Sequence, residues 1–251
     1  GITLWLHANA VQPQLAGDAM RSLRCRTLSG IEATFRANQF IFCLGGIESS
    51  RFFLQPFQTV PEVLPWNRSG LLGKHFQDHI DCNVAIVEPV DARSFHRTFD
   101  NIFSRGFKYH PKLRLDPTER ARRNTLNVAA TMAFAGDAEE ALDQLKTTAK
   151  NLLRGRIREV HAAEVGFAAR NLPLLTRQVV RYGLQHRAYV PPDARIFLRV
   201  HCEQEPTSGS SITLSDRSAS IGPLRTRLDW RISERELETI REYLKVATES
   251  L

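Results

Sequence analysis

Along the first 57 residues apolar and polar positions alternate with the two-residue period of half-buried strands. Ile2, Leu4 and Leu6 share one face. Leu23, Cys25 and Thr27 share another, Ser29-Gly30 marks a turn, and Ile31, Ala33 and Phe35 resume the alternation. The run Phe40-Ile41-Phe42-Cys43-Leu44 is short and apolar at every position, the pattern of a strand buried on both faces. The opening thus reads as a small meander feeding one central strand. That strand stops at Gly45-Gly46, and residues 47–54 read as a helix. Strand, glycines, then helix is an arrangement that lets a ligand approach backbone atoms closely.

Further on, residues 58–72 carry loop signals at Pro61, Pro65 and Ser69-Gly70, and strands are predicted over 82–87, 125–134 and 196–202. Two helices announce their own starts. Asp137 with Glu140 precedes Leu142, Leu145 and Leu152, and Ser233 with Glu236 forms a capping box ahead of Leu237, Ile240 and Leu244 on one face. Residues 150–190 read as mostly helical, interrupted by Pro173 and ended by Pro191-Pro192. Strands at both ends with helices and loops between them predict a mixed α/β (α+β) fold, one domain over 1–80 and a second over 81–251, with no internal repeat.

Composition narrows the class. The chain has 251 residues, 42% of them apolar and 24% charged, which suits a globular protein and excludes a collagen, a disordered tail or a coiled coil. The longest apolar run, 40–44, is far short of the ~20 residues that span a bilayer. The chain opens on Gly1 inside a strand-like pattern and lacks the basic and apolar segments of a secretory signal, so it reads as cut from something longer. Cys25, Cys43, Cys82 and Cys202 are widely spaced and form no C-x-x-C pair. They read as buried hydrophobes in a reducing cytoplasm.

Charge is unevenly placed. Lys and Arg number 34 against 27 Asp and Glu, and residues 151–200 hold nine arginines against Glu159, Glu164 and Asp193. Such a segment is a solvated helical face, a subunit contact or a module for an anionic surface. No aromatic residues interleave with the arginines as in a base-stacking platform, which points away from nucleic acid.

Among the candidate chemical clusters, His75-Phe76-Gln77-Asp78-His79 is the most conspicuous. On a helix, histidines four apart share a face and could hold zinc beside a carboxylate base. The inverted zinc-protease pattern has Glu where this chain has Asp78, so metal binding stays a minor alternative to a structural turn. Ser49, Ser50, Ser210 and Ser211 lack the G-x-S-x-G context of a nucleophile elbow.

Three segments, in order and spacing, resemble one family: the glucose-methanol-choline oxidoreductases, which carry FAD and oxidise alcohols and sugars. The first joins Leu6-His7-Ala8-Asn9-Ala10-Val11 to the stretch from Phe40 through Gly45-Gly46-Ile47-Glu48 to Arg51 and Leu54, similar to the family's strand into "A-G-G-I-E-x-x-R-L-L-L". The second, from Gly70 through Gly73 to Gln77-Asp78-His79, resembles "V-G-x-x-L-Q-D-H". The third runs from Glu203-Gln204-Glu205-Pro206 through Ser210 and Ser215 to Gly222-Pro223 and Asp229-Trp230, and resembles "E-Q-x-P-x-x-x-S-x-V-x-L-S" with its continuation. The likeness covers residues 1–90 and 195–250 and leaves 91–194 unmatched.

The resemblance implies a partial FAD-binding domain over 1–80, with a β-meander, and a substrate-binding domain of antiparallel sheet and helices over 81–251. It implies that Ala10 offers backbone hydrogen bonds to adenine, that Cys43, Leu44, Gly45 and Gly46 run beside the ADP part of FAD, and that Asp78 and His79 support the cofactor's surroundings. The family's G-x-G-x-x-G, which seats the pyrophosphate on a helix N-terminus, and its terminal catalytic histidine have no counterpart in this chain. The expectation is therefore an internal fragment of a flavoenzyme that oxidises an alcohol or sugar hydroxyl, carrying no catalytic residue and binding FAD weakly by itself. A non-catalytic basic module for an anionic surface and a metal-binding HxxDH protein are the alternatives.

Overall fold

The computed structural model describes residues 1–57, 65–136, 171–191 and 194–250, together with the single positions 147, 150, 154 and 166. The helix start expected at Asp137 and much of the Arg-rich stretch lie outside the described residues. Helices and antiparallel sheets are mixed, as the α/β (α+β) reading expects. Two compact units result: Gly1–Asp78 with Glu205–Ser233, and His79–Gln204 with Glu234–Leu251. The expected division at residue 80 thus needs one amendment, because the 205–233 segment joins the N-terminal unit.

In the first unit, β1 (Asn9–Ala16), β2 (Ala19–Arg26) and β3 (Glu32–Arg36) form an antiparallel meander. A two-residue turn joins β1 to β2, with Gly17 at φ +60°, the left-handed backbone that tight hairpins require. The expected strand face of Ile2, Leu4 and Leu6 does not form. The first strand begins only at Asn9, and those side chains are 99%, 78% and 69% exposed. Alternation describes a strand only where a neighbour supplies ladder bonds, and residues 1–6 have none among the described residues.

Helix α1 (Gly45–Leu54) follows, near the expected position. Its buried Phe52 anchors an aromatic cluster with Phe42, Phe53 and Phe57, and Trp66 closes it, stacking edge-on to Phe53 and donating Nε1–H to the Phe53 carbonyl at 2.9 Å. An antiparallel hairpin of β10 (Ser211–Ser218) and β11 (Leu224–Asp229) packs on α1. Gln55, buried at the end of the helix, clamps the two: Oε1 accepts from Leu224 N–H at 2.8 Å, and Nε2 donates to the carbonyls of Leu224 and Arg51 at 3.1 Å each.

The second unit is built on an antiparallel sheet of β4 (Ile80–Ile86), β7 (Leu113–Arg114), β8 (Val128–Ala135) and β9 (Arg195–Cys202), in the order β4-β9-β8-β7. The strands predicted over 82–87, 125–134 and 196–202 correspond to three of these, shifted by one to three residues. Period two sends Ile196, Leu198, Val200 and Cys202 inward on β9 and Val128, Ala130 and Met132 inward on β8. Helix α5 (Glu234–Ser250) starts directly after Ser233 and covers that face with Ile240, Tyr243 and Ala247, spaced for one helical side. Tyr243 keeps its hydroxyl satisfied by donating to the Leu113 carbonyl at 3.1 Å.

Three helices complete the unit. Helix α2 (Ala92–Phe99) is capped by Asp91, which accepts from the N–H groups of Arg93 and Ser94 at 3.0 and 3.2 Å. Helix α3 (Pro117–Arg122) is capped by Asp116 and carries Pro117 in its first turn. Helix α4 (Leu172–Gln185) places Pro173 in its first turn as well. Pro173 therefore begins this helix where the sequence reading has it interrupt one. Between α2 and α3 lies a short hairpin of β5 (Ile102–Ser104) and β6 (Phe107–Tyr109). All four cysteines are free. Cys25 and Cys202 are buried and Cys82 is half-buried, but Cys43 is exposed, which corrects its reading as a core residue.

Candidate functional site

Cys43, Leu44, Gly45 and Gly46, the positions expected beside a dinucleotide, are consecutive at the start of α1. Residues 40–44 do not form the central strand predicted for them. They have no ladder partner among the described residues, and Ile41 is 86% exposed. An apolar run becomes a doubly buried strand only between two others. Here Phe42 packs on rings, 5.1 Å from Phe52 and 4.9 Å from Phe53.

The helix start is open. Gly45 has φ +77°, and a Cβ at Gly45 or Gly46 would meet nothing within 4 Å. Leu44 at the N-cap supplies no side-chain hydrogen bond, so the first-turn N–H groups take no cap and remain available to an acceptor. The one charged side chain of that turn is Glu48, whose carboxylate pairs with Arg51 at 2.7 Å. Main-chain donors beside an acid whose charge Arg51 already offsets suit a hydrogen-bond acceptor such as an adenine nitrogen or ribose hydroxyl. The donors and the open space at Gly45 and Gly46 are what the expected approach of a nucleotide to this backbone requires.

Ala10 lies on β1, half-buried and opposite Cys25, just before an irregularity that leaves Val11 out of the ladder. No hydrogen bond or ring contact joins Ala10 to residues 43–46. Asp78 and His79, both exposed, lie on non-helical backbone where the first unit gives way to the second. His75 has φ +53° and residues 76–79 are not helical, so the shared helical face on which the zinc alternative depends is absent. Among the described residues no three His, Cys, Asp or Glu side chains gather where a metal ion could sit. Ser210, fully buried, is committed to the main chain: its Oγ accepts from Arg231 N–H at 3.0 Å.

The motif segments do meet. Gly73 O accepts from Ile212 N–H at 2.6 Å, Phe76 N–H donates to Ser210 O at 3.1 Å, and Lys74 bridges to Ser211. Gly73, at φ +75°, has no space for a side chain, since a Cβ there would stand 2.3 Å from Ile212 O. With the Gln55 clamp to Leu224, the three segments that carry the family resemblance fall in the first unit, apart from His79, Glu203 and Gln204 at their ends.

Sequence reasoning missed a second place altogether. The second unit holds a cavity of about 870 Å³, walled by α2, by the end of α4 and by the segment leading into β9. His96 and Arg181 line it, and behind them Asp100 is fully buried. Its carboxylate accepts from Arg181 and is 2.9 Å from His96 Nδ1, while the His96 ring stacks on Phe134 with centroids 6.0 Å apart. The spacing His96-x-x-x-Asp100 after an Asp91 cap is the one local signal that pointed there. No protein-family model matches the chain, and no curated protein matches it either.

Proposed function

We propose that this chain forms the adenosine-binding wall and much of the substrate-binding unit of an FAD-dependent oxidoreductase of the glucose-methanol-choline type, acting on an alcohol or sugar hydroxyl. The observation that supports this reading is that the three motif segments meet in the first unit, all but His79, Glu203 and Gln204 at their ends, with Gly73 held against Ile212 and Gln55 clamped to Leu224. When bound, FAD supplies the two-electron acceptor for oxidation of the carbon that bears the hydroxyl. The residues of this chain hold and orient. The uncapped N–H groups at the start of α1 present donors to the adenosine, and Gly45 and Gly46 keep their approach clear of side-chain atoms. Asp78 and His79 keep a supporting part, and no residue of this chain is assigned the proton transfer.

Calorimetric titration of the full chain with FAD, adenosine and riboflavin tests the reading. FAD and adenosine are expected to compete for one weak site, and riboflavin to leave it alone. Gly46→Leu, a substitution into open space, weakens both by about tenfold, equivalent to about 1.4 kcal/mol. Absence of adenosine binding, or unchanged affinity in Gly46→Leu, overturns the proposal.

A further inference from the structure

The cavity of the second unit has a charge that the packing around it does not balance. Arg93, Arg97, Arg181, Arg187 and Arg195 line it, against Glu88 as the one carboxylate of the wall. Asp100 behind the wall pairs with Arg181, which leaves three guanidinium charges in excess among the described residues. Arg93, Arg97 and Arg195 make no ion pair with another described residue, and all three are exposed. Arg181 is fixed in place by Asp100, yet its Nε is buried and has no acceptor. Arg187 is tethered through Nη1 to the His96 carbonyl at 3.4 Å. Guanidinium groups gathered in a concavity repel one another unless an anion lies between them, and low-dielectric walls strengthen the attraction for that anion.

Val87, Pro89, Val190, Pro191 and Ile196 give the wall an apolar side, with His96, Gln185 and Tyr189 as its neutral polar groups, and the volume lies within the range of small-molecule sites. We propose that the cavity binds a soluble organic anion: a phosphate or carboxylate head seated among the arginines, with an apolar body against the Val87–Ile196 side. The site belongs to one unit, and four of its five arginines, Arg93, Arg97, Arg181 and Arg187, lie in the stretch that the family resemblance leaves unmatched, so it stands independently of the flavoenzyme reading.

The test is calorimetric titration of the full chain with octyl phosphate below its micelle concentration, and with octyl glucoside as the uncharged match. Octyl phosphate is expected to bind at one saturable site that weakens with added salt, and octyl glucoside to give no binding. The double variant Arg93→Gln/Arg97→Gln removes two unpaired charges from the exposed face of α2 and leaves the Asp91 cap intact, so its melting curve should match the parent. Its affinity for octyl phosphate should fall about tenfold or more. Arg217→Gln/Arg227→Gln, in the first unit, should change nothing. Equal binding of octyl glucoside, or full affinity in the Arg93/Arg97 variant, overturns the proposal. So does retention on phosphatidic acid vesicles without any binding of soluble octyl phosphate, which would assign the arginines to a membrane surface.

Discussion

At the scale of single residues, the glycines of the first unit divide by what surrounds them. Gly73 combines φ +75° with backbone packed against it, 2.3 Å from where a Cβ would stand, and its carbonyl holds Ile212. Replacing it with alanine forces the β10 backbone away, and the expected loss in denaturant unfolding is about 2–4 kcal/mol. Gly46 is helical and open, so Gly46→Ala should shift stability by less than about 1 kcal/mol, in the stabilising direction. Equal losses in the two variants would show that crowding at Gly73 is not what demands glycine. The motif containing Gly73 was legible in the sequence, but its reason was not, because the atom it must avoid belongs to a strand encoded far along the chain.

At the scale of elements, Gln55 carries the join between α1 and the β10-β11 hairpin. Gln55→Leu keeps the volume and leaves the Leu224 main-chain N–H without its acceptor, while the Leu224 carbonyl retains the Arg51 Nη1 donor at 3.3 Å. Stability is expected to fall by about 2 kcal/mol, with faster amide exchange at Leu224. Unchanged exchange there would mean that the clamp does not hold the hairpin. Elements were legible where period two or a cap motif was strong, as in β8, β9 and α5. They were misread where an apolar pattern presupposed a neighbour, as at residues 2–6 and 40–44. Helix α2 escaped notice because Arg93, His96 and Arg97 dilute its apolar stripe, and the cavity escaped with it because its wall is assembled from α2, α4 and the approach to β9.

At the scale of the whole molecule, acid sensitivity follows from carboxylates held below their ordinary range. Hydrogen bonds from Arg199 keep Asp81 ionised, with the charges of His201 and Arg199 adding to them, and the main-chain N–H of Thr118 does the same for Asp116 at the start of α3. In each case the unfolded chain takes up a proton at a higher pH than the folded one. The stabilisation is therefore complete above the ordinary carboxylate range and is lost as pH falls through it. The melting temperature should hold steady near neutrality and decline below about pH 5. Arg199→Gln, which removes the largest influence on Asp81 and leaves that of His201, should make that decline shallower. An identical slope in the variant would remove Asp81 from the account.

The split ownership of the chain also shapes its synthesis. The first unit is complete only when Glu205–Ser233 arrives, after all of His79–Gln204 has been made. At ribosomal rates that interval is on the order of ten seconds. Throughout it the flank of α1 that will receive the hairpin, Gln55 included, stands bare. The nascent chain thus has a timed period of vulnerability at this flank, which a chaperone would have to shield and which a circularly permuted gene starting near residue 205 would shorten.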